Sequence, residues 1–181
     1  MMRTFKLVAL ICLLALVFSI PALAEENEWE MWIGSIDGGW AETVGNLDNS
    51  FDGGMVFGGE LEYRFEEHWT LDGFLQYRSF ETKASSGDDL EIVNLSFNAK
   101  YYWLPDTDTF FARGGVGWYD PQDKDDDAEF GVNFGVGYLW LFNKEKPFEG
   151  VTLSTDYHYF DGELDENEWW DIMVGLQWAF D

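Results

Sequence analysis

Hydrophobic and polar residues alternate one by one along most of this chain. In the segment Met55–Phe65, "MVFGGELEYRF", every second residue is apolar or glycine, and the intervening positions include three charged residues. Successive side chains of a β-strand point to opposite faces, so this period of two predicts a strand with one apolar and one charged face. The apolar side chains of this strand are Met55, Phe57, Leu61, Tyr63 and Phe65, and the charged ones are Glu60, Glu62 and Arg64.

The same alternation predicts eight strands in all. They lie near residues 28–41, 53–65, 69–81, 90–103, 110–119, 130–142, 149–160 and 169–180. Three connections are compact, namely those near 66–68, 104–109 and 143–148. The others, near 42–52, 82–89, 120–129 and 161–168, are longer on average and rich in Asp, Glu, Gly and Ser. Short connections favour antiparallel neighbours, so we expect short turns at one end and acidic loops at the other.

Charged residues decide what the two faces contact. The four basic residues within strands, Arg64, Arg78, Lys100 and Arg113, all fall on the polar face. Arg or Lys facing lipid near the bilayer midplane costs about 2–4 kcal/mol, and bilayers accept only helices and closed barrels. We therefore predict an all-β fold, an eight-stranded antiparallel up-and-down transmembrane β-barrel whose apolar face contacts lipid.

The polar face of such a barrel lines its lumen. The predicted lumen charge network comprises Glu30, Glu60, Glu62, Arg64, Asp72, Arg78, Lys100, Arg113, Asp156, His158 and Asp171. An eight-stranded barrel is just wide enough for side chains to fill it. We therefore expect a polar plug in the lumen rather than an open pore.

Tryptophans mark the ends of the predicted strands, as the aromatic girdles of transmembrane barrels do. Those at the short-turn end are Trp29, Trp69, Trp103, Trp140 and Trp178, and those at the other end are Trp40, Trp118, Trp169 and Trp170. The first strand is the least regular. Its apolar face is assigned to Trp29, Met31 and Ile33, which leaves Trp32 on the polar side.

The N-terminus has the pattern of a secretion signal. Basic residues precede an apolar run at 7–20, which is too short to span a bilayer as a helix, and Ala22 and Ala24 form an A-x-A cleavage site. We predict a signal peptide over residues 1–24 and an outer-membrane barrel domain over 25–181.

Composition excludes several classes of protein. The chain has a formal net charge of −25, with 35 acidic and 10 basic residues, so nucleic acid is not an expected partner. Ten Trp, eight Tyr and sixteen Phe argue against a disordered acidic chain. The single cysteine, Cys12, falls in the predicted signal, which leaves no disulfide or thiol metal site in the predicted mature chain.

Three segments carry a resemblance to a known group. "FFARGGVGWY" (Phe110–Tyr119), "FGVNFGVGYLW" (Phe130–Trp140) and the terminal "GLQWAF" (Gly175–Phe180) resemble the small outer-membrane β-barrel proteins of Gram-negative bacteria, the OmpA-type, OmpX-type and opacity-porin-like barrels. The resemblance covers the whole predicted mature chain. It implies an outer-membrane location, contact with outer-membrane lipid and lipopolysaccharide, and insertion by the barrel-assembly machinery.

The same resemblance assigns a role to the last strand. Gly175, Trp178 and Phe180 match the terminal assembly signal of these barrels, although Asp181 follows where family members usually end on the aromatic residue. We predict no cofactor and no enzymatic activity. We therefore expect a structural, surface-interaction or envelope role.

Three other functions stay open at this point: a lipid A-modifying outer-membrane enzyme, a narrow porin-like channel and a soluble periplasmic lipocalin-like binder. "GGW" at Gly38–Trp40 and "TDY" at Thr155–Tyr157 match lipocalin signatures. A lipocalin cup is apolar inside, however, whereas the predicted interior of this barrel is charged.

Ser154, Asp156 and His158 share the polar face of one strand, which raises the possibility of a catalytic triad. Alternate residues of a strand are about 6.6 Å apart, so Ser154 and His158 lie about 13 Å apart. A nucleophile and its base must be within hydrogen-bond reach. The resemblance to lipid A deacylases is also incomplete, because their pattern has Ser two residues after the His and this chain has Phe160.

The acidic run "DKDDDAE" suggests divalent cations, with Asp123, Asp125, Asp127 and Glu129 as weak candidate ligands. An EF-hand loop needs Gly at its sixth position and Glu at its twelfth, where this chain has Ala128 and Phe134. No defined metal site is predicted. Loose binding of divalent cations at the acidic loops, bridging to lipopolysaccharide phosphates, stays a hypothesis.

Overall fold

The computed structural model describes residues 31–45, 47–84, 89–105, 107–122, 128–142, 148–162 and 165–180. They form eight strands: β1 (Met31–Gly45), β2 (Phe51–Arg64), β3 (Trp69–Thr82), β4 (Leu90–Tyr102), β5 (Thr109–Pro121), β6 (Glu129–Leu141), β7 (Gly150–Gly162) and β8 (Asp165–Phe180). A short 3-10 turn at Leu47–Asn49 lies between β1 and β2. Among these residues, no helix is long and apolar enough to cross a bilayer.

The sheet closes on itself. Each strand pairs antiparallel with the next, and β1 pairs with β8 from Trp32–Phe180 to Gly45–Asn167. The predicted eight-stranded antiparallel up-and-down barrel is therefore confirmed. Closure pairs the two edge strands, so neither β1 nor β8 leaves a row of unpaired backbone groups facing lipid.

Alternation assigns the two faces of β2 as the sequence predicts. Met55 and Phe57 are exposed on the outside of the barrel, whereas Glu60, Glu62 and Arg64 are buried in the lumen. The other strands from β3 to β8 follow the same rule. Their exposed side chains include Leu75, Val116, Phe134, Leu153 and Leu176.

The face predicted for the first strand is wrong. Ile33 is 1% exposed and belongs to an apolar cluster inside the barrel, against which Met31 also packs. Trp32 lies on the outside, with its ring centroid 5.0 Å from that of Tyr63. The cause is the register: Ile33 pairs with Glu62, a lumen residue, and directly paired residues share a face. The three consecutive apolar residues at 31–33 show no alternation, so the sequence does not indicate which of them face the lumen.

The long-loop end also differs from prediction. The sequence predicts Trp169 in the outer girdle, but Trp169 is fully buried in the lumen, while its neighbour Trp170 faces outward. The strands β7 and β8 pair as far as Gly162–Asp165, so the connection predicted over 161–168 is only two residues long.

The lumen contains two apolar clusters with the charged residues between them. The short-end cluster, near the turns that follow β2, β4 and β6, consists of Ile33, Tyr102, Phe111, Leu139 and Phe148. The long-end cluster consists of Ala41, Leu47, Val56, Phe74, Phe80, Leu90, Ile92, Tyr119, Phe160, Trp169 and Met173. The lumen therefore has a charged layer between two apolar layers, whereas the sequence predicts polar filling throughout.

The corrected orientation of β1 makes a prediction about Ile36, which is 57% exposed on the outside near the middle of the strand. Ile36→Arg should lower the free energy of unfolding in lipid vesicles by about 2–4 kcal/mol, because it places a charge in lipid. Ile36→Leu is the matched control and should change it little. Equal stability of the two variants in urea titrations would show that Ile36 does not face lipid.

Candidate functional site in the barrel lumen

The first charged cluster, which we call the lower network, alternates in sign along its length. Lys100 Nζ donates to Glu60 Oε1 and to Glu62 Oε2. Arg113 Nη1 donates to Glu60 Oε2 at 2.8 Å, and its Nε and Nη2 donate to the two carboxylate oxygens of Asp156 at 2.6 Å each. Each cation therefore lies between two carboxylates, and the Arg113–Asp156 pair has the bidentate geometry that makes such bonds strong.

Strand register explains why two cations can sit side by side here. Lys100 and Arg113 are directly paired neighbours on β4 and β5. Like charges at paired positions repel, but both side chains reach across the lumen to carboxylates of β2 and β7. The closed barrel thereby replaces a repulsive neighbour contact with four attractive ones.

Neutral hydrogen-bond donors accompany the carboxylates of this layer. Tyr102 Oη donates to Glu62 Oε1 at 2.9 Å, and Asn98 Nδ2 donates to Asp72 Oδ1 at 2.6 Å. Tyr102 also belongs to the short-end cluster, so its ring packs among apolar residues while its hydroxyl group donates to the charged layer.

The second charged cluster, the upper network, is centred on Arg78, which is fully buried. Its Nε lies 3.1 Å from both carboxylate oxygens of Asp171, and its Nη2 donates to Gln76 Oε1 at 2.6 Å. Asn94 Oδ1 accepts from Nη1. The guanidinium lies over the ring of Trp169 at 5.1 Å, a cation–π contact with the long-end cluster.

His158 joins the upper network to the aromatic residues above it. Its Nδ1 is 3.0 Å from Tyr119 Oη, and its Nε2 is 3.0 Å from both Asp171 Oδ2 and Arg78 Nη2. The imidazole stacks on Trp169 with ring centroids 5.2 Å apart. These contacts hold the ring inside the lumen among charged and aromatic partners.

Two glycines make room for lumen carboxylates. A Cβ atom at Gly135 would lie 1.9 Å from Asp156 Oδ1, and one at Gly175 would lie 2.1 Å from Asp37 Oδ1. Asp37 accepts a hydrogen bond from Ser35 Oγ at 2.6 Å. Asp37 is absent from the predicted network because the predicted faces of β1 are reversed.

Arg64 lies apart from the two networks, at the short-turn end. Its Nε donates to the backbone carbonyl of Glu66 at 3.3 Å, and its guanidinium lies 4.7 Å from the ring centroid of Phe148. Phe148 is buried and has φ 63°, an uncommon conformation for a bulky residue.

Several predicted residues have no described structure. Glu30, Ala22, Ala24, Asp123, Asp125 and Asp127 lie outside the described residues. Glu129 begins β6 and is half-buried. Within the part of the chain that the structure describes, no group of three or more His, Cys, Asp or Glu side chains is arranged to hold a metal ion.

The predicted assembly signal divides between the two faces of β8. Gly175 faces the lumen, whereas Trp178 and Phe180 are exposed on the outside. Both rings extend across the β1–β8 seam over Gly34, where a Cβ atom would lie 3.2 Å from the Trp178 ring and 3.3 Å from the Phe180 ring.

Known proteins share this architecture. The family model for the outer membrane protein beta-barrel domain matches residues 10–180. Neisserial surface protein A is similar at a TM-score of 0.61 and 12% identity, over 82% of this chain and 97% of that chain. The N-terminal barrel domain of Pseudomonas aeruginosa OprF gives 0.55 and 16%, over 82% and 97%. OprG from the same organism gives 0.54 and 12%, over 83% and 97%.

Because the sequence identities are low, these similarities concern the fold alone. The comparison with curated proteins gives no match.

The lower network makes a prediction about Arg113. Arg113→Met should lower the free energy of unfolding by about 3–5 kcal/mol, because it leaves the buried Asp156 carboxylate without its cation. Adding Asp156→Asn should recover part of this loss, so the double variant should be less destabilised than the sum of the single ones. Urea unfolding in lipid vesicles measures the free energy of unfolding of the two single variants and the double variant. Strict additivity would mean that the two side chains do not interact.

Proposed function

Because the chain belongs to the outer membrane protein beta-barrel domain family, we propose that it is a non-enzymatic protein whose closed barrel anchors acidic loops at the cell surface. The barrel lies in the outer membrane with its apolar face in lipid. The proposal rests on the filling of the lumen. Two ion-pair networks occupy the middle, and an apolar cluster lies at each end.

The energetics of this arrangement support a closed lumen. An ion passing through would have to displace buried pairs such as Arg113–Asp156 and Arg78–Asp171, whose attraction is large in a partly dry interior. It would also have to cross apolar layers containing Phe148 at one end and Trp169 at the other. These features favour a plug over a channel.

The surface of the protein is proposed to act through negative charge. Outer-membrane barrels place their short turns in the periplasm and their longer loops outside the cell. The exposed carboxylates at the long-loop end include those of Glu42, Asp48, Asp52, Glu81, Asp89 and Glu91. Such a surface favours divalent cations, and through them lipopolysaccharide phosphates, over direct phosphate contacts.

An enzymatic role on lipid A is disfavoured by where the polar groups point. Lipid A surrounds the barrel, so an enzyme acting on it needs reactive side chains on the outer face. His158 and Ser154 are both buried in the lumen, and His158 is held between Tyr119, Trp169 and Arg78.

The terminal strand is proposed to direct assembly by the barrel-assembly machinery. Trp178 and Phe180 lie on the outer face of β8 beside the seam that closes the barrel. Before β1 and β8 pair, both rings belong to a strand with a free edge that the machinery can bind, and after closure they cover Gly34.

Conductance across a planar lipid bilayer tests the plug. The wild-type protein should show little steady current, because both ends of the lumen are apolar and its centre is ion-paired. Arg113→Met should admit small transient currents. A porin of known conductance, inserted in the same membrane, controls for reconstitution. Large, stable wild-type channels would reject the plug and establish the porin-like alternative.

Lipid A composition tests the enzymatic alternative. Mass spectra of lipid A from cells with and without the protein should be identical if it has no activity on this lipid. A mass shift that depends on the protein and disappears in His158→Ala, with folded barrel still present on gels, would overturn the proposal.

A further inference from the structure

Residues 47–51 connect β1 to β2 at the long-loop end of the barrel, and we call them the lid. The chain turns into the mouth at Gly45, whose φ of 62° suits glycine. Leu47 is 4% exposed and belongs to the long-end cluster, and Phe51 packs against the same cluster. Thr43 Oγ1 donates to the backbone carbonyl of Phe51 at 2.9 Å. The lid is therefore a folded part of the barrel mouth, with its apolar side chains turned inward.

One lysine ties the lid to the neighbouring hairpin. Lys83, just beyond the end of β3, donates from Nζ to Asp48 Oδ1 at 2.9 Å and to the Asp48 backbone carbonyl. Its Nζ is also 3.4 Å from Asp52 Oδ1, and its backbone N–H donates to the carbonyl of Ser50 at 3.0 Å. We call the side chains of Lys83, Asp48 and Asp52 the latch.

The latch differs in kind from the ion pairs below it. The side chains of Lys83, Asp48 and Asp52 are 34%, 57% and 65% exposed, whereas Arg78 and Asp171 are fully buried. Exposed pairs contribute little and are screened by salt, since the Debye length falls from about 10 Å at 0.1 M to about 3 Å at 1 M. Buried pairs are screened much less. The two sets of charges therefore respond differently to the same change in ionic strength.

From these contacts we infer that the lid is a salt-sensitive cover over the long-loop mouth, which the Lys83 latch holds shut. Screening of the latch shifts the lid toward an open state in which the long-end cluster, including Ala41 and Trp169, meets solvent. The lower and upper networks stay paired when the lid opens, so the barrel itself remains intact.

Thiol labelling measures the opening. Ala41 is buried in the long-end cluster on the lumen face of β1, and Cys12→Ser removes the natural thiol. In the folded full chain in detergent micelles, Ala41→Cys should react with N-(2-hydroxyethyl)maleimide at least about threefold faster when Lys83→Gln is added. Lys83→Arg should keep the slow rate. Raising NaCl from 0.05 to 1 M should accelerate labelling in the Lys83 background and leave the Lys83→Gln rate unchanged.

Ala179→Cys is the matched control, because Ala179 packs against the short-end cluster at the other end of the lumen. Its labelling rate should respond neither to Lys83→Gln nor to salt. Heat-modifiable migration on gels verifies that each variant is folded. If Lys83→Gln does not fold, the salt dependence of the labelling rate of Ala41→Cys, measured with Lys83 in place, tests the latch by itself. A rate at Ala41→Cys that is indifferent to salt, or salt acceleration of equal size at both cysteines, would overturn the latch.

Discussion

A charge that faces lipid in the middle of a bilayer is costly, and this constraint organises the barrel. Arg64, Arg78, Lys100 and Arg113 all point into the lumen. Reversing the face of a strand would cost about 2–4 kcal/mol for a basic residue near the bilayer midplane, before the apolar side chains are counted. The lumen of eight strands is narrow, so side chains that cannot leave it must satisfy one another.

Carboxylates are in excess in that lumen, and the structure accommodates them with cations and with neutral donors. The acids described there are Asp37, Glu60, Glu62, Asp72, Asp156 and Asp171. Glu60, Glu62, Asp156 and Asp171 have basic partners. Asp37 and Asp72 accept hydrogen bonds from Ser35 and Asn98. Glycines at 135 and 175 provide the space that two of the carboxylates occupy.

The two ends of the lumen are closed by different means. At the short-turn end, Tyr102 and Phe148 meet edge to face, with ring centroids 4.9 Å apart, beneath the lower network. At the long-loop end, Trp169 packs with Phe80, Tyr119 and Phe160, and Leu47 belongs to the same buried cluster. The rings shield the ion pairs from water and thereby strengthen them. The exposed contacts of Lys83 hold only the outermost of these layers.

Local periodicity determined much of this structure from sequence alone. The number of strands, their antiparallel order and the faces of β2 to β8 follow from a period of two together with connection lengths, because both are properties of short segments. The inward position of every basic strand residue follows as well. Periodicity failed at 31–33, where three apolar residues in a row carry no alternation, and the pairing of Ile33 with Glu62 settled the face instead.

Which lumen charges meet was decided by the tertiary structure. Arg78 and Asp171 are 93 residues apart in sequence, and Arg113 and Asp156 are 43 apart. The sequence predicts that all four face inward, but six acids and four bases permit many pairings. The choice among them depends on the stagger of the strands when β1 meets β8, which fixes the height of each side chain along the barrel axis. The apolar clusters at the two ends have the same origin, because aromatic residues on lumen-facing positions of separate strands become a layer only when the barrel closes.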